Sequence, residues 1–116
     1  MTPTIVLKNG KPYIITGTPG GTTITTSVYQ TLLNALEFRL DATTIVNAPK
    51  FHMQWLPDVI YTEPGFPNEL LQQLEAIGYT IKKRGPIGRT ELILVREDGT
   101  IEAVGDNRGE DAALAY

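Results

Sequence analysis

The alternation of apolar and polar positions divides the chain into short β-like runs near both ends, with two helical stripes between them. Thr4-Ile5-Val6-Leu7-Lys8 is rich in β-formers, Asn9-Gly10 is a tight-turn dipeptide, and Pro12-Tyr13-Ile14-Ile15-Thr16 returns, which predicts a hairpin. Both arms carry more consecutive apolar residues than a half-exposed strand needs. A sheet covered on each face is therefore expected, with helices on either side. Ile24, Val28, Leu32 and Leu36 recur at i+4, and Leu33 and Ala35 widen the stripe. That period predicts a helix from about Thr22 to Phe38 with one buried apolar face. Its first turns hold Thr22, Thr23, Thr25, Thr26 and Ser27, all poor helix formers, so tertiary packing must hold that end. Most of these hydroxyls are expected to satisfy local backbone groups or to face solvent; the alternative is that some line a polar pocket.

Asp41 is placed as the N-cap of a short helical piece through Ile45 and Val46, closed by Asn47-Ala48-Pro49. Val59–Thr62 reads as a strand. Pro64-Gly65 then turns the chain into a second helix, entered at Pro67 or Asn68 and stopped by Gly78, with Leu70, Leu71, Leu74 and Ile77 on its apolar face. Strands at Tyr79–Lys83, Thr90–Arg96 and Ile101–Val104 complete the pattern, the last two joined by Asp98-Gly99. The expectation is an α+β fold forming one domain over 1–116, a length sufficient for a modest core.

Candidate chemistry concentrates where the hairpin passes into the first helix, at Gly17-Thr18-Pro19-Gly20-Gly21-Thr22. Pro19 fixes its own φ and pushes Thr18 towards an extended conformation. Gly20 and Gly21 carry no Cβ, so the backbone can turn sharply and a ligand can come close to the peptide N–H groups. At a helix N-terminus those donors and the macrodipole favour negative charge, which describes an oxyanion cradle. A plain tight connection would use the same residues.

Composition narrows the rest. Thirteen acidic and ten basic residues give a net charge of −3, with no basic-aromatic face, so nucleic acid is not an expected partner. The longest apolar runs, such as Leu92-Ile93-Leu94-Val95, are too short to cross a bilayer, and Thr2-Pro3-Thr4 leading directly into a strand suggests no signal peptide. There is no cysteine, hence no disulfide framework or thiolate chemistry. His52 is the single histidine; without a spaced partner it is a poor metal ligand, and a hydrogen-bonded structural role is favoured over catalysis. No metal or cofactor is expected. Trp55 is expected to be a core anchor whose indole N–H finds a carbonyl. Lys82-Lys83-Arg84 reads as a solvated strand end. Thr2, were it to become N-terminal, would have the form of an N-terminal nucleophile, but its neighbour Pro3 and the strand beginning at once argue for an unplaced terminus.

Met1-Thr2-Pro3-Thr4-Ile5-Val6, Gly17-Thr18-Pro19-Gly20-Gly21 with Ile24-Thr25-Thr26, and Asn47-Ala48-Pro49-Lys50-Phe51-His52-Met53-Gln54-Trp55-Leu56-Pro57-Asp58 resemble consecutive landmarks of the γ-glutamyltransferase family. Glu63-Pro64-Gly65-Phe66, Ala103-Val104-Gly105-Asp106-Asn107-Arg108 and Ala115-Tyr116 continue the match in order. The resemblance implies the C-terminal part of the small subunit of an N-terminal-nucleophile hydrolase, within a four-layer αββα sandwich. It implies a self-cleaving precursor whose new N-terminal threonine attacks a γ-glutamyl amide such as glutathione, the acyl-enzyme then passing to water or to an acceptor amino acid or peptide. Gly20 and Gly21 match the family's tandem glycines, whose amides would bind substrate and the tetrahedral oxyanion; no cofactor is implied.

By the same resemblance the nucleophilic threonine, the paired serines and the large subunit's carboxylate-binding arginine all lie outside this chain. The expected partners are then the large subunit and the rest of the small subunit, and the isolated chain is expected to be inactive. Relatives suggest a periplasmic or extracellular location. Arg39 departs from the family pattern, standing where a helix-ending Gly is usual, and Met53 replaces a second His. Related acylases and a poly-γ-glutamate-cleaving enzyme on the same framework are the nearer alternatives. A non-catalytic interaction domain, forming a homodimer over surfaces left bare, is the more distant one.

Overall fold

β1 (Thr4–Lys8) and β2 (Lys11–Gly17) form the anticipated hairpin. Asn9 and Gly10 take φ values of 53° and 75°, the pair of left-handed residues that a two-residue turn between twisted strands requires. The computed structural model describes residues 1–114, so the landmark Ala115-Tyr116 lies outside the described residues. The chain continues through α1 (Thr23–Leu36), α2 (Ala42–Asn47), β3 (Phe51–His52), β4 (Ile60–Thr62), α3 (Asn68–Ala76), β5 (Ile81–Lys83), β6 (Glu91–Val95) and β7 (Ile101–Val104). Asp41 caps α2 as predicted, its carboxylate accepting from the Thr44 N–H at 2.9 Å.

Two sheets result. The larger runs β1-β2-β6-β7 and is antiparallel throughout; the smaller runs β3-β4-β5, with β4 and β5 parallel and α3 as the crossover between them. Beneath one face of the larger sheet, Ile14, Leu92 and Leu94 meet Ala35 of α1 and Ala42, Ile45 and Val46 of α2 to make the core.

The opposite face is bare, contrary to the expectation of a sheet covered on both sides. Ile5, Ile15, Ile93 and Ala103 are paired in register as one row across the four strands. Ile5 is 58% exposed, and Ile101, two residues from Ala103, is 57% exposed. The molecule exposes 7531 Å², where a compact monomer of 12.7 kDa exposes about 6,200 Å². The apolar runs in β1 and β2 supply two apolar faces, and among the described residues helices cover one of them.

α1 also lies differently from its prediction. Thr23, Ser27, Gln30, Thr31 and Ala35 are its buried residues, whereas the Ile24-Val28-Leu32 stripe is half-exposed and Leu36 is exposed. The helix has rolled because its polar face serves backbone groups. Gln30 donates to Phe51 O at 2.7 Å and accepts from Phe51 N at 3.1 Å, acting as a strand partner for β3. Thr31 donates to Ser27 O at 2.9 Å. In α3 Leu71 is buried as predicted, but Ile77 is exposed.

A buried group of four charges joins the segments that follow α2. Glu63 accepts both forks of Arg108, Nε to Oε1 at 2.7 Å and NH2 to Oε2 at 2.6 Å, and also the Lys50 N–H at 2.7 Å and the Ile87 N–H at 2.6 Å. Arg108 further donates to Val46 O and Ala48 O, each at 2.8 Å, and to Asp106 Oδ1 at 3.1 Å. Lys50 Nζ donates to Val46 O at 3.1 Å and lies 3.8 Å from Asp106 Oδ2. Two cations face two anions, so the cluster is neutral. Burial pushes the Lys50 ammonium down and Arg108 pushes it the same way, against Asp106 and Glu63. Burial alone would push the Glu63 carboxyl up, but Arg108 and the Ile87 and Lys50 N–H groups outweigh it and hold it below the usual range.

Two outcomes follow from these contacts. α1 ends around Arg39 at φ 51°, with the Phe38 N–H on Leu33 O at 3.3 Å and the Leu40 N–H on Asn34 O at 3.1 Å. A side chain there costs roughly 1 kcal/mol relative to glycine, so Arg39→Gly raises the urea midpoint by about that much in free energy; a lowered midpoint would show that the Arg39 side chain is needed where it stands. Because the folded carboxyl of Glu63 is depressed, its contribution is fully present above the unfolded value of about 4.3 and is lost as pH falls through the folded value. Stability measured from pH 7 to pH 3 should fall more steeply in the natural sequence than in Glu63→Gln; equal slopes would remove Glu63 from the acid response.

Candidate active site

The strand β2 delivers Thr18 into a wholly buried position, after which Pro19, Gly20 and Gly21 come to the surface at the start of α1. Gly20 has φ 141° and Gly21 φ 60°, both in the region that disfavours side chains. A Cβ on Gly20 would lie 2.4 Å from Thr23 Oγ1, while one on Gly21 would meet nothing within 4 Å. The two glycines are thus needed for different reasons: the first for close packing and the second for backbone angle, with open space beside it.

Gly20 O accepts from the Thr23 N–H at 3.2 Å and from Thr23 Oγ1 at 2.9 Å, and Gly21 O accepts from the Ile24 N–H at 3.2 Å. Among the described residues neither the Gly20 N–H nor the Gly21 N–H has an acceptor. Two free donors therefore stand at the positive end of a 14-residue helix. The arrangement can hold a carboxylate or an oxyanion, and it resembles the cradle read from Pro19-Gly20-Gly21.

The loop 87–90 lies against this turn, tied to Thr18 across 71 positions and to Glu63 through the Ile87 N–H. A Cβ on Gly88, whose φ is 70°, would lie 2.8 Å from Ser27 Oγ and 2.9 Å from Thr18 Oγ1. The Arg89 N–H donates to Thr18 Oγ1 at 2.7 Å. Arg89 then pairs through Nε and NH2 with both oxygens of Asp111. Arg89 holds the Asp111 carboxyl low, whereas burial, followed by the Asp111 hydrogen bond and charge, pushes Glu91 up. Pro19, Arg89, Glu91, Asp111, Met1 and Ala112 line a groove of about 410 Å³ beside the turn. Nothing in the local sequence announces these neighbours, which are separated from the turn by the length of the chain.

His52 is buried, with Nδ1 2.8 Å from Thr26 Oγ1 and Nε2 3.0 Å from Gln54 Oε1. Gln54 Nε2 donates to Leu56 O at 2.9 Å, which leaves its Oε1 to accept from His52 Nε2, while the Thr26 hydroxyl beside Nδ1 also lies 3.2 Å from Thr23 O. Both ring nitrogens are occupied in holding the loop 51–56 against α1, the structural role expected. Trp55 overturns its expectation: it is 77% exposed at φ 77°, at the tip of a loop whose Gln54 and Leu56 are also exposed and which is tied to the domain through buried His52. Met53, standing in place of the second His, lines an apolar cleft of about 330 Å³ with Phe51, Phe66 and Leu74.

The family model described as Gamma-glutamyltranspeptidase matches residues 1–116. The glutathione hydrolase proenzyme of Escherichia coli (strain K12) is 41% identical over 115 residues, covering 99% of this chain and 20% of that protein. Among solved structures, gamma-glutamyltranspeptidase from Pseudomonas nitroreducens complexed with L-DON superposes with a TM-score of 0.91 at 33% identity, covering 100% of this chain and 62% of that one. The T380A mutant of the Helicobacter pylori enzyme gives a TM-score of 0.88 at 36% identity, covering 94% and 61%. The chain spans about a fifth of the length of the curated relatives it matches. The antiparallel four-stranded sheet and the mixed three-stranded one, with their flanking helices, are part of the N-terminal-nucleophile hydrolase αββα architecture. By motif order, fold and whole-chain match, this chain belongs to the γ-glutamyltranspeptidase family.

Proposed function

We propose that this chain supplies the oxyanion-binding turn of a γ-glutamyltransferase, as the C-terminal part of its small subunit, with the nucleophilic threonine outside these residues. In that reading the threonine Oγ attacks the γ-carbonyl of a γ-glutamyl amide such as glutathione while its proton passes to the threonine α-amine. The carbonyl oxygen becomes negative and is met by the Gly20 and Gly21 N–H groups. The C–N bond breaks, the proton goes to the departing amine, and an acyl-threonine ester remains. Water or an acceptor amine attacks that ester through a second oxyanion in the same cradle; the acyl C–O bond to threonine Oγ breaks, and the proton taken from the nucleophile by the α-amine returns to that Oγ. Donors fixed in advance act because the charge they meet develops only in the transition state.

The observation that carries this reading is the pair of acceptor-free amides at the N-terminus of α1, at the glycines that match the family's tandem pair. The bare row of Ile5, Ile15, Ile93 and Ala103 supports the accompanying partner reading, since an αββα sandwich needs a second sheet to cover it. A homodimer of the chain would cover the same face and is separated from that reading by sedimentation of the chain alone.

The test uses the intact protein that carries this segment and a γ-glutamyl anilide, with rates taken per titrated active site. Gly21→Ala, which fits sterically but strains the turn, and Gly20→Ala, which displaces Thr23, should each lower kcat by about 10²-fold or more with a much smaller change in KM. An unchanged kcat in both would remove the turn from the chemistry. The isolated chain should release no aniline, and turnover by it would place a nucleophile among these residues.

A further inference from the structure

We infer that Thr18 is a positioning residue for the oxyanion turn, set by the loop at Gly88 and Arg89; this rests on the oxyanion reading above. A peptide group is planar, and in the trans form its C=O and N–H point in opposite directions. Whatever grips the carbonyl of a peptide therefore aims its N–H. The Gly20 N–H belongs to the same peptide as Pro19 O, and Thr18 Oγ1 donates to Pro19 O at 2.8 Å. The Gly21 N–H shares a peptide with Gly20 O, which Thr23 holds through both its N–H and its hydroxyl.

The two grips are not equal. Thr23 retains its N–H whatever its side chain, so the Gly21 amide has a second hold. Gly20 depends on the Thr18 hydroxyl, among the described residues the one group donating to Pro19 O. A hydroxyl rotor has one proton, and its direction is chosen by its other partner. The Arg89 N–H, 2.7 Å from Thr18 Oγ1, occupies the acceptor side and leaves the proton to Pro19 O. That N–H comes so close because Gly88 has no side chain: a Cβ there would lie within 2.9 Å of Thr18 Oγ1 and 2.8 Å of Ser27 Oγ. Thr18 and Ser27 are both fully buried, so neither can swing aside into water.

The experiment compares Thr18→Val, Thr18→Ser and Thr23→Val with Gly21→Ala in the intact protein, again on a γ-glutamyl anilide per titrated site. Thr18→Val keeps the shape but leaves Pro19 O unheld and the Arg89 N–H without an acceptor. It should lower kcat by about 10- to 100-fold with KM changed much less, and Thr18→Ser should restore most of the loss. Thr23→Val should lower kcat by less than about 5-fold, because the Thr23 N–H remains. A Thr18→Val enzyme with unchanged kcat, alongside a crippled Gly21→Ala enzyme, would overturn the positioning role and leave the oxyanion turn standing. Unchanged kcat in both would instead fall on the oxyanion reading itself, and failure of Thr18→Ser to rescue would show that packing, not the hydroxyl, matters at position 18.

Discussion

The carboxylate of Glu63 is the contact on which the arrangement depends. It holds Arg108 in a bidentate grip, takes the Lys50 and Ile87 N–H groups, and so fixes three distant segments to the end of β4. An ion pair this deeply buried contributes little net stability relative to a well-packed apolar replacement, because desolvation offsets attraction. Its effect is registry. From Glu63 the path runs to the Ile87 N–H, along the chain through Gly88 to Arg89, then to Thr18, and ends at the peptide plane joining Pro19 and Gly20. Each step is a hydrogen bond or a contact that no side chain could enter.

Hydrophobic burial does a different and incomplete job. It seals one face of the larger sheet through Ile14, Leu92, Leu94, Ile45 and Val46, and leaves the row at Ile5, Ile15, Ile93 and Ala103 only partly covered. α1 shows the same division, with its threonines, serine and glutamine inward and its aliphatic stripe only half covered. Apolar packing is thus left partial on both elements, while internal polar contacts set the shape of the turn.

Elements with a local cause were legible in the sequence. Asn9-Gly10 demands a tight turn, Asp41 caps the next helix, and α3 begins at Asn68, directly after the Pro67 that marks its entry. The glycine pair could be read as a place where backbone donors face outward, since absence of side chains is itself a local property. What escaped was non-local. β3 is two residues long and carries no period, yet it turns the polar side of α1 inward by offering its backbone to Gln30. Trp55 looks like a core residue by type, yet it stands at the solvent-facing tip of a loop anchored by buried His52, with Gln54 and Leu56 exposed on either side. The partnership of Thr18 with Arg89 spans 71 positions and that of Glu63 with Arg108 spans 45, distances over which no pattern in one sequence carries information.

Main-chain donors have a genetic consequence. A reactive side chain can be erased by a single codon change, but a peptide N–H survives every replacement except proline. Drift at positions 20 and 21 therefore cannot delete the hydrogen-bonding groups in small steps; it can only bend them out of line. On the proposed reading, a lineage whose activity fades through this turn would still carry its donors, misdirected, and a compensating change in the surrounding scaffold could bring them back.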